Sequence, residues 1–347
     1  MPTSDRISTM KQVREYKPKE GRKLFSASHE EIIDGLTTDV YFVKTKEILH
    51  EMGLQDTVVT AEVFPREEGI LAGVEEVIAL FEGMDLEVWS LREGDAFKPK
   101  DTVMRIIGKY SDFGIYETAL LGILASSSAW ATASRRIRDA AGDKTFISFG
   151  ARHLHPAVAP VMERAAVIGG ADGASCILAA KLLGREPKGT CPHAAFLVAG
   201  DTVSVALKYD ELMPSEEARI ILIDTFKDEA EEALNVAMAL GDKLKGVRLD
   251  TPGERGGVTT GLVREVRARL DQAGYKHVQI FVSGGLNPDR VRLLSEAGAD
   301  SFGVGSYISG AKPIDMTMDL KEVGGRPIAK RGRIPGKIEN PALVRFI

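Results

Sequence analysis

Between residues 145 and 305 short apolar runs alternate with helical stretches, and almost every apolar run ends on a polar or glycine-rich cluster. Residues 145–149, 220–224, 246–250, 277–283 and 301–305 have the length and β-branched content of buried strands. Residues 167–173 and 189–193 read as two further strands. Helical patterns at 175–183, 228–240, 262–273 and 288–297 separate them. Strands and helices in regular succession demand parallel strands joined by right-handed crossovers. Six or seven such units fit an irregular or incomplete (β/α) barrel better than an open sheet. A strand that delivers functional groups at its carboxyl end is how barrels and open α/β sheets present chemistry.

The part before residue 145 has a different rhythm. Residues 11–22 are charged and expected to pack loosely. Thr38 or Asp39 can cap a helix with Val40, Val43, Ile48 and Leu49 roughly on one face, and Tyr41 lies just inside its start. By itself Tyr41 reads as an ordinary half-buried tyrosine. Residues 57–64 alternate like a strand and 74–81 are helical. Residues 86–107 hold strand pieces around the turns Glu93-Gly94-Asp95 and Lys98-Pro99-Lys100-Asp101. A long helical pattern, 115–141, leads onward. The expected division is an N-terminal α+β domain over 1–142, an α/β barrel with the active site over 143–312, and a tail over 313–347. That tail is basic and rich in Pro and Gly, and is expected to pack on the N-terminal domain or the surface.

Composition removes several classes of function. A formal charge of −5 argues against a partner such as nucleic acid gripped by a basic surface. No apolar run is long enough to span a bilayer. Met1 to Met10 is polar and lacks the apolar core of a secretion signal. Two cysteines, Cys176 and Cys191, cannot make a disulfide framework, so a reducing cytoplasm is the default expectation.

The strand ends carry the chemistry. Phe149-Gly150-Ala151-Arg152-His153-Leu154-His155-Pro156 gathers an aromatic, a cation and two imidazoles. Asp224-Thr225 ends one run, and Val247-Arg248-Leu249-Asp250-Thr251 puts Arg248 and Asp250 on one side of another. Any one such carboxylate is often a helix cap; several converging on one barrel mouth are harder to explain that way. Ser283-Gly284-Gly285 and Gly303-Val304-Gly305-Ser306 resemble phosphate turns, where glycines let N–H groups approach an anion and a following helix adds its positive end. Late barrel strands commonly share that task, and a ribose 5-phosphate would fit. The alternative is two tight strand-to-helix turns. Gly189-Thr190-Cys191-Pro192-His193 is a rigid turn presenting His193, with Cys191 close enough to raise a Cys–His nucleophile. His153-x-His155 has the spacing of two metal ligands, but a metal hydrolase site needs further histidines at later strand ends; only His193 and His277 lie downstream, and His277 starts its strand instead of ending it.

With these clusters in order, the chain resembles the nicotinate phosphoribosyltransferases, type II phosphoribosyltransferases of NAD salvage. The resemblance runs from about Gly35 to Ser306. It rests on Thr-Thr-Asp-Val-Tyr (37–41), Glu-Gly-Asp (93–95), Tyr-Glu-Thr-Ala-Leu-Leu-Gly (116–122), Phe-Gly-Ala-Arg-His (149–153) and Gly-Gly-Ala-Asp-Gly-Ala-Ser (169–175). Gly-Thr-Cys-Pro-His (189–193), Asp-Thr (224–225), Val-Arg-Leu-Asp-Thr (247–251), Ser-Gly-Gly (283–285) and Gly-Val-Gly-Ser (303–306) complete it. It implies the type II architecture, an irregular (β/α) barrel with an N-terminal α+β domain. It also implies a homodimer with shared active sites, or a higher oligomer.

The resemblance implies roles as well. Phe149 and Tyr41, the latter from the neighbouring subunit, would sandwich the nicotinate ring, with Arg248 against the ring or its carboxylate. Arg152 and Thr190, with Ser283, Gly284, Gly285, Gly303, Gly305 and Ser306, would hold the phosphates of phosphoribosyl pyrophosphate. Asp224 and Asp250 would hold the ribose hydroxyls or the Mg²⁺ that escorts pyrophosphate. ATP would phosphorylate His193 and so couple its hydrolysis to product formation. Some positions depart from many relatives: His153 stands where a second arginine is common, and Thr251-Pro252-Gly253 and Ser283-Gly284-Gly285 replace Ser-Gly-Asp. These changes place the chain in the short archaeal-type branch. The tail has no cysteines, so no zinc is expected. Quinolinate phosphoribosyltransferase shares the fold and is the nearest rival; a non-catalytic phosphate-binding barrel is the other alternative.

Overall fold

In the computed structural model, which describes residues 6–347, the described residues up to Thr132 group with Lys312–Ile347, and Ala133–Ala311 form a second unit. The first five residues of the polar segment Met1 to Met10 lie outside the described residues. The first boundary falls inside helix Glu117–Ala141 rather than after residue 142.

Strands β1 (Val58–Pro65), β2 (Gly69–Ile70), β3 (Leu86–Ser90), β4 (Ala96–Phe97) and β5 (Met104–Lys109) precede that helix. After it come β6 (Thr145–Ser148), β7 (Gly173–Ala174), β8 (Arg219–Leu222), β9 (Leu244–Leu249), β10 (Gln279–Ser283) and β11 (Ser301–Val304). The chain ends with β12 (Met316–Val323), β13 (Arg326–Pro327) and β14 (Val344–Arg345).

The N-terminal unit is built on an antiparallel sheet of order β13-β12-β1-β5-β3-β14. β1 is buried along all but its first residue, which is why its alternation covers both faces. Glu62, fully buried on β1, accepts from Arg105 Nε (2.8 Å) and from the backbone N–H of Ile338 (3.2 Å). A buried carboxylate needs such donors. The tail therefore does more than cover a surface: β12 and β14 complete the sheet. Residues 11–22, expected to pack loosely, include part of a short helix, Met10–Glu15, started by a capping box between Thr9 and Gln12. Helix Val40–Glu51 begins after Asp39, whose side chain makes no cap bond; its N–H donates to Thr118 Oγ1 (3.0 Å).

The second unit is a half-barrel of six parallel strands in the order β7-β6-β11-β10-β9-β8. The strand expected at 167–173 is mostly not one. Helix Ala159–Ile168 starts with Pro160 in its first turn and buries Ala159, Met162, Glu163 and Ala166 at helical spacing, leaving only Gly173–Ala174 extended and paired. The strand expected at 189–193 is a loop, because Pro192 has no N–H for a ladder and is the N-cap of helix His193–Ala199. With no strand there, β7 and β8 remain the two edges and the barrel stays open. Crossover helices Glu229–Leu240, Thr260–Gln272 and Pro288–Ala297 begin at Asp228, Thr259 and Asn287, whose side chains accept from their first-turn N–H groups. No helix among the described residues is long and apolar enough to cross a membrane.

Candidate active site

Parallel pairing of β9 with β10 sets Phe281 beside Arg248, so the carboxyl ends of neighbouring strands converge. Arg248, with 14% of its side chain exposed, is the hub. Its Nε donates to Ser283 Oγ (2.9 Å), Nη1 to Thr190 Oγ1 (2.7 Å) and Nη2 to Asp250 Oδ2 (3.1 Å). Ser283 in turn donates to Asp250 Oδ1 (2.9 Å). The guanidinium carbon lies 5.3 Å from the centre of the Phe149 ring, and Phe149 meets Phe281 at 5.8 Å between centroids. Burial pushes the Arg248 guanidinium down from its ordinary value, and Asp250 and Asp224 oppose that. An arginine stays charged nonetheless.

Asp224, just beyond β8, is 1% exposed, and neither of its oxygens has a hydrogen-bond partner. Burial pushes its carboxyl up to about 6. It is not the cap of the next helix, since Asp228 serves there with bonds to Ala230 and Glu231. A buried carboxylate without donors is costly unless a ligand supplies them. His193 faces it, with Nε2 3.6 Å from Asp224 Oδ2 and 3.9 Å from Asp250 Oδ2, while Nδ1 is paired with Thr225 Oγ1 at 3.3 Å.

A cavity of about 450 Å³ opens over this network, lined by Phe149, Ala151, Arg152, Ser175, Gly189, Thr190, Pro192, His193, Leu222, Arg248 and Asp250. Its size suits a small ligand with a few fixed polar contacts. Phe149, Arg152, Thr190, His193, Arg248 and Asp250 thus line one cavity, with Asp224 and Ser283 bonded or adjacent to them.

Other expected site residues lie elsewhere. Gly284, Gly285, Gly303, Gly305 and Ser306 do not line this cavity. Gly284, at φ +91°, leaves room for Asp250: a Cβ there would come within 3.0 Å of Oδ1. Gly303 lies inside β11, paired on both sides, and its missing Cβ would stand 2.5 Å from the Phe149 ring. Gly303→Ala is therefore expected to displace Phe149 and weaken binding of an aromatic substrate about tenfold, with global stability changed by less than about 2 kcal/mol. Parallel substrate titrations and denaturant unfolding check this, and an unmoved affinity would detach Phe149 from the ligand.

Tyr41 stands on the first turn of helix Val40–Glu51 in the N-terminal unit, 54% exposed. His153 Nδ1 pairs with Ser309 Oγ (3.0 Å), and His155 Nδ1 accepts from the N–H of Ala157 (3.2 Å). Among the described residues no group of three His, Cys, Asp or Glu could hold a metal ion. Burial raises the Cys191 thiol, which works against a nucleophilic thiolate.

Two participants carried no role in the sequence reading. Ser175 lines the cavity, and Glu163, fully buried behind it, accepts from Ser175. A signal was available: a glutamate falls on the apolar face of helix Ala159–Ile168, next to Met162 and one turn from Ala159 and Ala166.

Comparison with known proteins agrees with this architecture. Residues 39–128 match the quinolinate phosphoribosyl transferase N-terminal domain and residues 130–319 the C-terminal domain. A nicotinate phosphoribosyltransferase of Mycobacterium tuberculosis is 30% identical over 251 residues, covering 69% of this chain and 54% of the relative. The chain spans about half the length of the nicotinate phosphoribosyltransferases it matches. A probable carboxylating nicotinate-nucleotide pyrophosphorylase of Methanothermobacter thermautotrophicus is 23% identical over 282 residues, covering 80% of this chain and 92% of the relative. The solved nicotinate-nucleotide pyrophosphorylase of Pyrococcus furiosus superposes with a TM-score of 0.87 at 46% identity, covering 91% of this chain and 82% of that one. The two matched domains follow one another along the chain, which belongs to the quinolinate phosphoribosyl transferase family.

Proposed function

We propose that this protein is a nicotinate phosphoribosyltransferase, forming nicotinate mononucleotide and pyrophosphate from nicotinate and phosphoribosyl pyrophosphate, with ATP hydrolysis coupled through His193. The observation that carries this reading is His193 at the rim of the Phe149–Arg248 cavity, with Nε2 facing Asp224 and Asp250. Transfer to quinolinate has no need of a histidine that can be phosphorylated there. It also calls for more cationic groups, whereas the lining cations are Arg152 and Arg248, with His193 beside them.

In this reading the pyridine nitrogen attacks the anomeric carbon as pyrophosphate departs, through an oxocarbenium-like transition state. Phe149 offers a face for the ring, and Arg248 lies against the ring or its carboxylate. Asp224 and Asp250 stabilise the positive charge that grows on the sugar, and Arg152 the negative charge on the leaving group. Mg²⁺ fits the donor chemistry, because Asp224 has two unpartnered oxygens and hard cations prefer carboxylate oxygen. Asp224 and Asp250 would hold it when it arrives with pyrophosphate, whose charge it neutralises. The glycine turn at 284–285, and Gly303 and Gly305 at the end of β11 with Ser306, would lie beside the 5-phosphate. Exposed apolar faces support pairing of two copies. Tyr41 and Ile48 on helix Val40–Glu51 with Met52 at its C-cap, and Ile177, Leu178, Leu182, Leu197 and Val198 in the half-barrel unit, are each more than half exposed.

The quinolinate reading is favoured by the likeness to the Pyrococcus furiosus pyrophosphorylase, by the carboxylating relative of Methanothermobacter thermautotrophicus and by the two matched quinolinate phosphoribosyl transferase domains. The test is product formation from nicotinate, quinolinate or nicotinamide with phosphoribosyl pyrophosphate and Mg²⁺, with and without ATP. Nicotinate mononucleotide forming faster with ATP is the expected result; turnover of quinolinate with release of CO₂ would move the chain to the rival reaction. His193→Ala is expected to lose the ATP stimulation while retaining some transfer. Stimulation that survives the substitution removes the phosphohistidine.

A further inference from the structure

Glu163 reaches from helix Ala159–Ile168 to the ends of β6 and β7. It accepts from Ser148 Oγ (3.3 Å) and Ser175 Oγ (2.9 Å) through Oε1, and from the Cys176 N–H (2.6 Å) through Oε2. The residue is fully buried, as is Ser148. A carboxylate has only lone pairs to offer, and two acceptors 2.9 Å apart repel unless a hydrogen lies between them. Ser175 has one hydroxyl hydrogen, and Glu163 takes it. Ser175 lines the cavity, and a lone pair is therefore what its hydroxyl has left to offer a ligand there.

We infer that Glu163 is a positioning residue that makes Ser175 a hydrogen-bond acceptor for a hydroxyl of the substrate's ribose. This rests on the proposed reaction. Nicotinate offers a carboxylate and a ring nitrogen, and the phosphates offer oxygens, so the sugar hydroxyls are the donors that the two substrates bring. Arg152 and Arg248 receive the anions, and Ser175 receives the sugar.

The test compares wild type, Glu163→Gln, Ser175→Ala and the double variant. Glutamine keeps the size of Glu163 but carries an N–H₂ that can donate to Ser175, freeing the serine hydrogen to turn outward. Both single variants are expected to raise KM for phosphoribosyl pyrophosphate about five- to tenfold, the worth of one hydrogen bond, while KM for nicotinate stays within about twofold. The double variant should match Ser175→Ala alone, because Glu163 acts through Ser175. Additive losses would make Glu163 a structural prop only, and a shift in nicotinate KM would place Ser175 at the ring instead; either overturns the inference. Calorimetric binding of ribose 5-phosphate to the same four proteins separates it from the reaction. If wild type is silent with nicotinate yet both single variants weaken ribose 5-phosphate, the reaction falls and the role of Glu163 stands. If nicotinate turns over and neither measure responds, the inference falls and the reaction stands.

Discussion

Arg248→Ala is expected to lower kcat/KM for the proposed pyridine substrate by about three orders of magnitude, equivalent to about 4 kcal/mol. The side chain makes three hydrogen bonds, each from a charged donor, to Ser283, Thr190 and Asp250. Such bonds contribute a net of about 1.5–3 kcal/mol apiece, though they do not add fully. Removing the cation also leaves Asp250 without its ion-pair partner and unhooks Thr190, which belongs to the loop that carries His193. Arg248→Lys restores little, since an ammonium cannot reach three acceptors from one plane. Steady-state kinetics with the pyridine and the phosphoribosyl donor varied separately should show most of the loss on the pyridine. An unchanged kcat and KM would remove Arg248 from the site.

Asp224→Asn separates activity from stability. The carboxylate lies buried with no donor to either oxygen, and burial has raised its pKa to about 6. Because the folded pKa lies above the unfolded value of roughly 4, the folded state binds the extra proton between those limits. Stability contributed by this group therefore falls as pH rises from about 4 to about 6, and the destabilisation is fully present above that. The asparagine variant should melt a few degrees higher than wild type at pH 8, and the difference should vanish near pH 4. Its kcat should fall about 10²- to 10³-fold, since a neutral amide cannot stabilise an oxocarbenium-like centre. In wild type, any step needing the ionised group should weaken as pH falls through about 6. Thermal unfolding at the two pH values, beside kcat, reads both effects. A variant less stable than wild type at pH 8 would mean that Asp224 is supported in the free protein after all.

Much of the half-barrel was legible because its signals are local. Each crossover helix announces itself by a cap, Asp228, Thr259 or Asn287, set before an amphipathic run. Arg248 and Asp250 share a face by strand periodicity alone. The misread pieces are those where proline overrode apolar content. Pro160 began a helix that took over Val167 and Ile168, and Pro192 kept the 189–193 segment out of the sheet.

What the amino-acid order determined by itself was the succession of parallel strands and helices, and the residues that end each strand. Period two and helix capping act over a few residues, so they need no knowledge of distant chain. The fold alone decided which strands became edges, that the tail completes the N-terminal sheet, and what each strand-end group touches. Glu62 meets Ile338 across most of the sequence, and Arg248 meets Thr190 from a loop between two helices. Gly303 is a glycine because the Phe149 ring needs its space, and Asp224 is left without donors by the packing around it. Contacts of this kind depend on three-dimensional closure, where desolvation and close packing set energies that no local pattern encodes.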